Sequence, residues 1–173
     1  MKEISVILIA LSVGVSPKST AYSFVFSEIR NLARKNVEVH VIRVGKPSEY
    51  VFENIHFHGV ESKFNLRNIA AIVKNIIRDP TILTLHSIRE IFLNTSLYEK
   101  AMKVVKDCNV NIIHAPFIYP EAFIGYLMKK TLKIPLVATS HGYDVNVIRE
   151  YDYGLRVHKS YDYIIRKTLR LSL

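Results

Sequence analysis

Asn111-Ile112-Ile113-His114-Ala115-Pro116, followed a helix-length later by Leu136-Val137-Ala138-Thr139-Ser140-His141-Gly142-Tyr143-Asp144, is the stretch that decides the fold. Each half is a short apolar run that ends on a histidine, and residues 121–130 between them read as a helix. Strand, helix, strand with polar groups at both carboxyl ends makes a ligand crevice in an open parallel sheet. Gly142 lets a backbone come close to a ligand, because it has no Cβ in the way. Asp144 is expected to cap a helix that starts near Asn146.

Working outward, residues 4–11 form a continuous aliphatic run of the kind that a central parallel strand buries on both faces. Lys2 ahead of that run resembles the start of a secretory signal, but Glu3 in the charged region and the continuation into Pro17 and a helix favour a first strand. The run is also shorter than the ~20 residues that span a bilayer. A loop containing Gly14 and Pro17 leads to a helix over 21–35, with Phe24, Ile29 and Leu32 on one face and Val25 beside it. A second strand over 37–44 completes a right-handed βαβ unit. Residues 50–60 give a weaker strand signal. His56 and His58 alternate there with Ile55 and Phe57 and are expected on an exposed face, since no third metal ligand stands near in sequence.

Residues 65–78 are amphipathic and end at Asp79-Pro80. Residues 81–86 read equally as a short strand or a helical linker, and a long helix is expected over 87–106. Pro120 is placed to open the helix after the first histidine-ending strand, where a missing N–H costs nothing. A helix over 146–159 and a short strand over 161–165 are expected to follow the second. No internal repeat or low-complexity segment interrupts the 173 residues, a length that suits one domain with a core of its own.

With 49% apolar residues the chain is too hydrophobic for intrinsic disorder. A single cysteine, Cys108, rules out an internal disulfide framework, fits a reducing compartment, and reads as a small buried residue. The net charge of +9 is compatible with nucleic acid, an anionic membrane face or a phosphorylated substrate. The charge forms no single block. Lys129, Lys130 and Lys133 make one group and Arg166, Lys167 and Arg170 another, and both read as solvated surface. No RNA-binding or zinc-finger signature is present, so nucleic acid is not an expected partner.

Four stretches resemble the N-terminal domain of a GT-B glycosyltransferase of the family-4 type. Phe24 to Leu32 with Glu38-Val39-His40-Val41-Ile42 is similar to that family's first helix and second strand. Ile112-Ile113-His114-Ala115 is similar to its "hIHAH" segment, and Ile134-Pro135 through Val145 to its "giPhvhTxHGxDh" segment. Tyr161-Asp162-Tyr163-Ile164-Ile165 resembles its "aDxhI" strand. The HGxD segment is the most specific of the four. Two departures stand out: the loop after the first strand lacks the family's paired glycines or Ser-Glu-Thr run, and Pro116 replaces the second histidine of "HAH".

The resemblance implies a Rossmann-like α/β fold, a mostly parallel sheet with helices on both faces. Residues 1–173 would form one domain, the acceptor-side half of a GT-B fold, with the donor-binding C-terminal domain not among them. The implied reaction moves a sugar from a nucleotide-sugar to a glycan, lipid-linked or small-molecule acceptor. The partners are then that donor, that acceptor, the enzyme's own C-terminal domain and, for a lipid-linked acceptor, an anionic membrane face. The expected location is the cytoplasm, including the inner membrane face in that case. No metal or other cofactor is expected beyond the nucleotide-sugar as donor substrate. His141 is the expected catalytic group, donating a hydrogen bond to a sugar hydroxyl or phosphate oxygen as the leaving group departs. Gly14, Ser16, Lys18, His114, Tyr119, Glu121, Ser140, Gly142, Tyr143 and Asp144 are the expected substrate-binding residues. Gly14 and Lys18 would face phosphate, because loop-to-helix junctions present N–H donors to anions. The alternative is a non-catalytic module of the same fold that binds a nucleotide or sugar-phosphate.

Overall fold

A computed structural model of the chain describes residues 4–11, 13, 23–61 and 66–172. These residues form a six-stranded sheet in the order β3-β4-β2-β1-β5-β6. The strands are β1 (Ser5–Ile9), β2 (Glu38–Val44), β3 (Glu49–Phe52), β4 (Ile55–Val60), β5 (Ile112–Ala115) and β6 (Leu136–Ala138). All neighbours pair in parallel except the β3–β4 hairpin. The strands expected over 4–11, 37–44, 111–115 and 135–140 are therefore present and mutually parallel.

Every residue of β1 is buried, and its side chains alternate between two cores. Leu8 points with Val39, Val41 and Phe57 toward α1 (Ser23–Ala33), which contributes Val25, Phe26 and Ile29. Ile7 and Ile9 point with Ile42 and Ile113 to the other face, covered by α3 (Ile88–Asp107), α4 (Phe123–Leu132) and α5 (Lys159–Ser172). Helix α2 (Leu66–Arg78) packs outside α3. Helices thus cover both faces.

Several local expectations are corrected. No helix runs over 146–159; that stretch is two single 3₁₀ turns, Arg149–Tyr151 and Leu155–Val157, with an isolated bridge between Ile148 and Tyr153. Gly154, at φ +101°, sets this path: a Cβ there would lie 2.0 Å from the Asn146 carbonyl oxygen. The strand expected over 161–165 is the start of α5, because Ile164, Ile165 and Thr168 recur at helical spacing and are all buried. Residues 81–86, open between a short strand and a helical linker, take the helical alternative, mostly as a 3₁₀ turn, Pro80–Thr84, capped by Asp79. Tyr119 is extended (φ −136°, ψ 131°) and the backbone is helical again by Ala122, so Pro120 stands at the start of the helical run into α4, as expected. Phe24 is not on the buried face of α1, where Val25, Phe26, Ile29 and Ala33 stand. Cys108 is half-buried at the C-cap of α3.

One buried carboxylate joins three helices. Asp79, 1% exposed, accepts from the Thr81 N–H (3.0 Å), the Tyr126 hydroxyl of α4 (2.9 Å), Lys130 of α4 (3.2 Å) and Lys167 of α5 (2.9 Å). Burial opposes its ionisation, but these donors together hold it well below the usual carboxylate range. Two of the six surface cations singled out in the sequence, Lys130 and Lys167, thus pair from the surface with a buried carboxylate, and Arg166 pairs with Asp162.

His56 and His58 are also not an exposed pair. The β2–β4 register sets His40 opposite His56, and the buried His40 ring stacks between its two neighbours, at centroid separations of 4.8 Å to His56 and 5.5 Å to His58. Glu38 lies beside His40 and His56; Glu49, itself bridged to Lys100 of α3, holds His58. Burial is the main reason that His40 and His58 titrate below the ordinary imidazole value, against the pull of Glu38 and Glu49. Among the described residues, no group of three or more His, Cys, Asp or Glu is placed to hold a metal ion.

The sign of the resulting pH dependence is fixed. The native His40 and His58 rings take up protons at lower pH than the unfolded chain, which binds them below about pH 6.5, so stability falls as the pH drops through that value. Replacing His58 with Gln should flatten this part of the Tm–pH curve relative to the wild type. Parallel curves for the two proteins would contradict the assignment.

Candidate active-site crevice

The sheet changes direction at β1, with β2 on one side and β5 on the other, so the chain leaves the carboxyl ends of β1 and β5 in opposite senses. In open α/β sheets this divergence is where ligands bind. A cavity of about 500 Å³ lies there, walled by Ala10, Leu11 and Val13 after β1, by Phe24 and Val25 of α1, by the turn after β5, and by His141, Tyr143 and Asp144 after β6.

Asp144 organises the wall after β6. It is 3% exposed, and no helix follows for it to cap. Instead its Oδ2 accepts the Ile118 N–H (2.8 Å), while Oδ1 accepts from the Ser140 hydroxyl and the His141 N–H (both 3.2 Å). One side chain therefore fastens the His141 loop to the turn after β5. Gly142 takes φ +87°, a left-handed value that a Cβ would strain, and the Asn146 N–H returns to its carbonyl at 2.7 Å. The His141 ring is exposed at the mouth of the cavity and lies between Phe24 and Phe117, each at a centroid distance of 4.8 Å.

Glu121 is deeper, 4% exposed, with Oε1 accepting the Leu11 N–H at 3.2 Å and Oε2 buried with no hydrogen-bond partner among the described residues. Burial, with a smaller contribution from the charge of Asp144, pushes its carboxyl up to about 7 despite the backbone donors. Tyr119 donates to Glu90 of α3 (3.3 Å), which also accepts from Tyr161 of α5 (2.6 Å). Burial and the neighbouring Glu90 raise the Tyr119 phenol far above its ordinary value, so it remains a donor at any working pH. The described walls thus carry two carboxylates, an imidazole and tyrosines, and no lysine or arginine.

Of the residues expected in the site, His141, Tyr119, Glu121, Tyr143 and Asp144 come together here, and Ser140 and Gly142 belong to the same loop. His114 does not line the cavity: it is 6% exposed beneath α1, with Nε2 3.5 Å from Glu28, and burial lowers its pKa. Gly14, Ser16 and Lys18 lie outside the described residues. Phe24 and Phe117 were not among the expected residues. Phe24 sits off the Val25–Ile29–Ala33 ridge, and that offset is the signal that would have turned it away from the core.

The family model for Glycosyltransferase Family 4 matches residues 23–172. The chain belongs to Glycosyltransferase Family 4. An uncharacterized glycosyltransferase of Methanocaldococcus jannaschii is 20% identical over 123 residues, which cover 70% of this chain. The match spans 29% of that relative's length. The matched region of this family 4 domain contains α1, both histidine-ending strands and the HGxD loop, and so three walls of the crevice. Among the described residues, no helix of the family 4 domain is long and apolar enough to cross a membrane.

Proposed function

We propose that this domain is the acceptor-side half of a glycosyltransferase that moves a sugar from a nucleotide-sugar to a glycan, lipid-linked or small-molecule acceptor. The observation that carries this reading is the placing of the HGxD loop. It presents His141 at the mouth of the switch-point cavity, with both carboxylates behind it and no cation in the described walls. Such a wall suits hydroxyl-bearing ligands, whereas a diphosphate needs N–H donors or cations around it. We therefore assign the donor's phosphates to residues 14–20, with Gly14, Ser16 and Lys18, and to a second Rossmann-like domain. His141 donates to charge that develops in transfer, and Tyr119, Glu121, Ser140, Gly142, Tyr143 and Asp144 shape the acceptor side. His114 supports α1 from below. The chemistry calls for no metal, and the nucleotide-sugar is consumed as substrate. The setting is cytoplasmic, extending to the inner membrane face where the acceptor is lipid-linked.

A panel of nucleotide-sugars offered to the full-length protein, with mass detection of products, tests this reading. Transfer from one of them is expected, and the 173-residue chain alone should give none, because a site between two lobes needs both walls. Transfer by the isolated 173 residues would defeat the division into halves.

A further inference from the structure

Tyr143 is an aromatic ring held out toward solvent on a loop with little freedom to move. It is 51% exposed, lines the crevice next to His141, and is braced from behind by Tyr153 in an edge-to-face contact at 5.3 Å. The loop is tied at several points. Asp144 fixes the residues before it, the Leu155 N–H donates to the Tyr143 carbonyl (2.9 Å), and Arg156 donates to the Val145 carbonyl (2.7 Å) while also pairing with Asp162 of α5. Gly154 closes the loop against the Asn146 carbonyl, where no side chain would fit. A large apolar face kept exposed at the lip of a cavity gains nothing for folding, and holding it rigid lowers the entropy cost of binding a flat partner.

The polarity behind it narrows the partner. Glu121 and Asp144 are both buried, and no lysine or arginine is present in the described walls to offset a ligand phosphate. A sugar ring has one face of C–H groups and a rim of hydroxyls, which matches an aromatic lip and a carboxyl interior. Resting on the glycosyltransferase reading above, we propose that Tyr143 is the stacking platform for the acceptor's sugar ring and that this crevice selects a neutral sugar over a phosphorylated one.

The test uses the full-length protein and saturation-transfer NMR, with the methyl glycosides of glucose, galactose and mannose and the corresponding hexose phosphates as probes. At least one methyl glycoside should bind, and more tightly than its phosphate. Tyr143→Ala should weaken that binding by roughly tenfold, the scale of one aromatic contact. Tyr143→Phe, which keeps the ring face, should restore it, with both variants melting like the wild type. Equal binding by Tyr143→Ala, preference for the phosphate, or no binding of any neutral glycoside would each overturn the inference. The release of nucleoside diphosphate from nucleotide-sugars by the same wild-type preparation, with cell extract supplied as a source of acceptors, separates the two levels. Release with any of those outcomes removes only the acceptor assignment, and no release from any donor removes the glycosyltransferase reading beneath it.

Discussion

If the domain serves the proposed transfer, replacing His141 with Ala in the full-length protein should lower turnover by about 10²-fold or more, the scale of removing one donor aimed at developing charge. The Michaelis constants should change less, because the proposed partner of the imidazole is stronger in the transition state than in the bound substrate. The ring is exposed, and among the described residues it stacks against Phe24 and Phe117, so the fold gives up two tilted aromatic contacts. That amounts to about 1 kcal/mol of stability. The loop itself should keep its course, since Asp144 holds it through the backbone N–H of residue 141, which alanine retains. Steady-state kinetics together with a melting curve check this. A well-folded variant with normal turnover would remove His141 from the chemistry.

The second large effect is on stability and lies far from the crevice. Asp79→Ala should destabilise the domain by about 3 kcal/mol, near the lower end for removing the buried partner of an ion pair. The loss stays at that end because Lys130 and Lys167, 51% and 26% exposed at their side chains, can turn to water once their acceptor is gone. The Tyr126 hydroxyl and the Thr81 N–H lose their acceptor as well. For a domain of this size the expected fall in Tm is roughly 6–12 °C. Because the native carboxyl is held low, its contribution is complete above the unfolded value near pH 4 and fades as the pH falls through the native one. Thermal melts of wild type and variant at neutral pH decide it, and a loss within 2 °C (about 0.5 kcal/mol) would mean that Asp79 does not hold these helices together.

How much of this was legible in the sequence depended on whether a signal was local. The central strands were, because Ile7-Leu8-Ile9 and Ile112-Ile113 fill both faces of a parallel sheet and admit few other readings. The HGxD loop was legible as a motif, because histidine, glycine and aspartate follow within a few residues of the short edge strand β6, of which only Leu136 is buried. Local signals misled after residue 145. Val147, Ile148, Tyr151 and Leu155 recur at helical spacing, yet the close approach of Gly154 to Asn146 forces turns there. Tyr161 to Ile165 has strand-like composition, but Ile164, Ile165 and Thr168 are the buried side of a helix, and periodicity outweighs composition in that contest. The tertiary features left no local trace. The His40–His56–His58 stack depends on β4 pairing beside β2, and the raised carboxyl of Glu121 on its burial at the floor of the crevice with Asp144 nearby.

The most direct test is nucleoside diphosphate release by the full-length protein across a panel of nucleotide-sugars, which registers donor cleavage whatever the acceptor is. Release from one donor, lost on changing His141 to Ala while the variant still melts as a folded protein, is the expected result. A folded wild-type protein that releases nothing from any nucleotide-sugar, with cell extract supplied as a source of acceptors, would contradict the glycosyltransferase assignment.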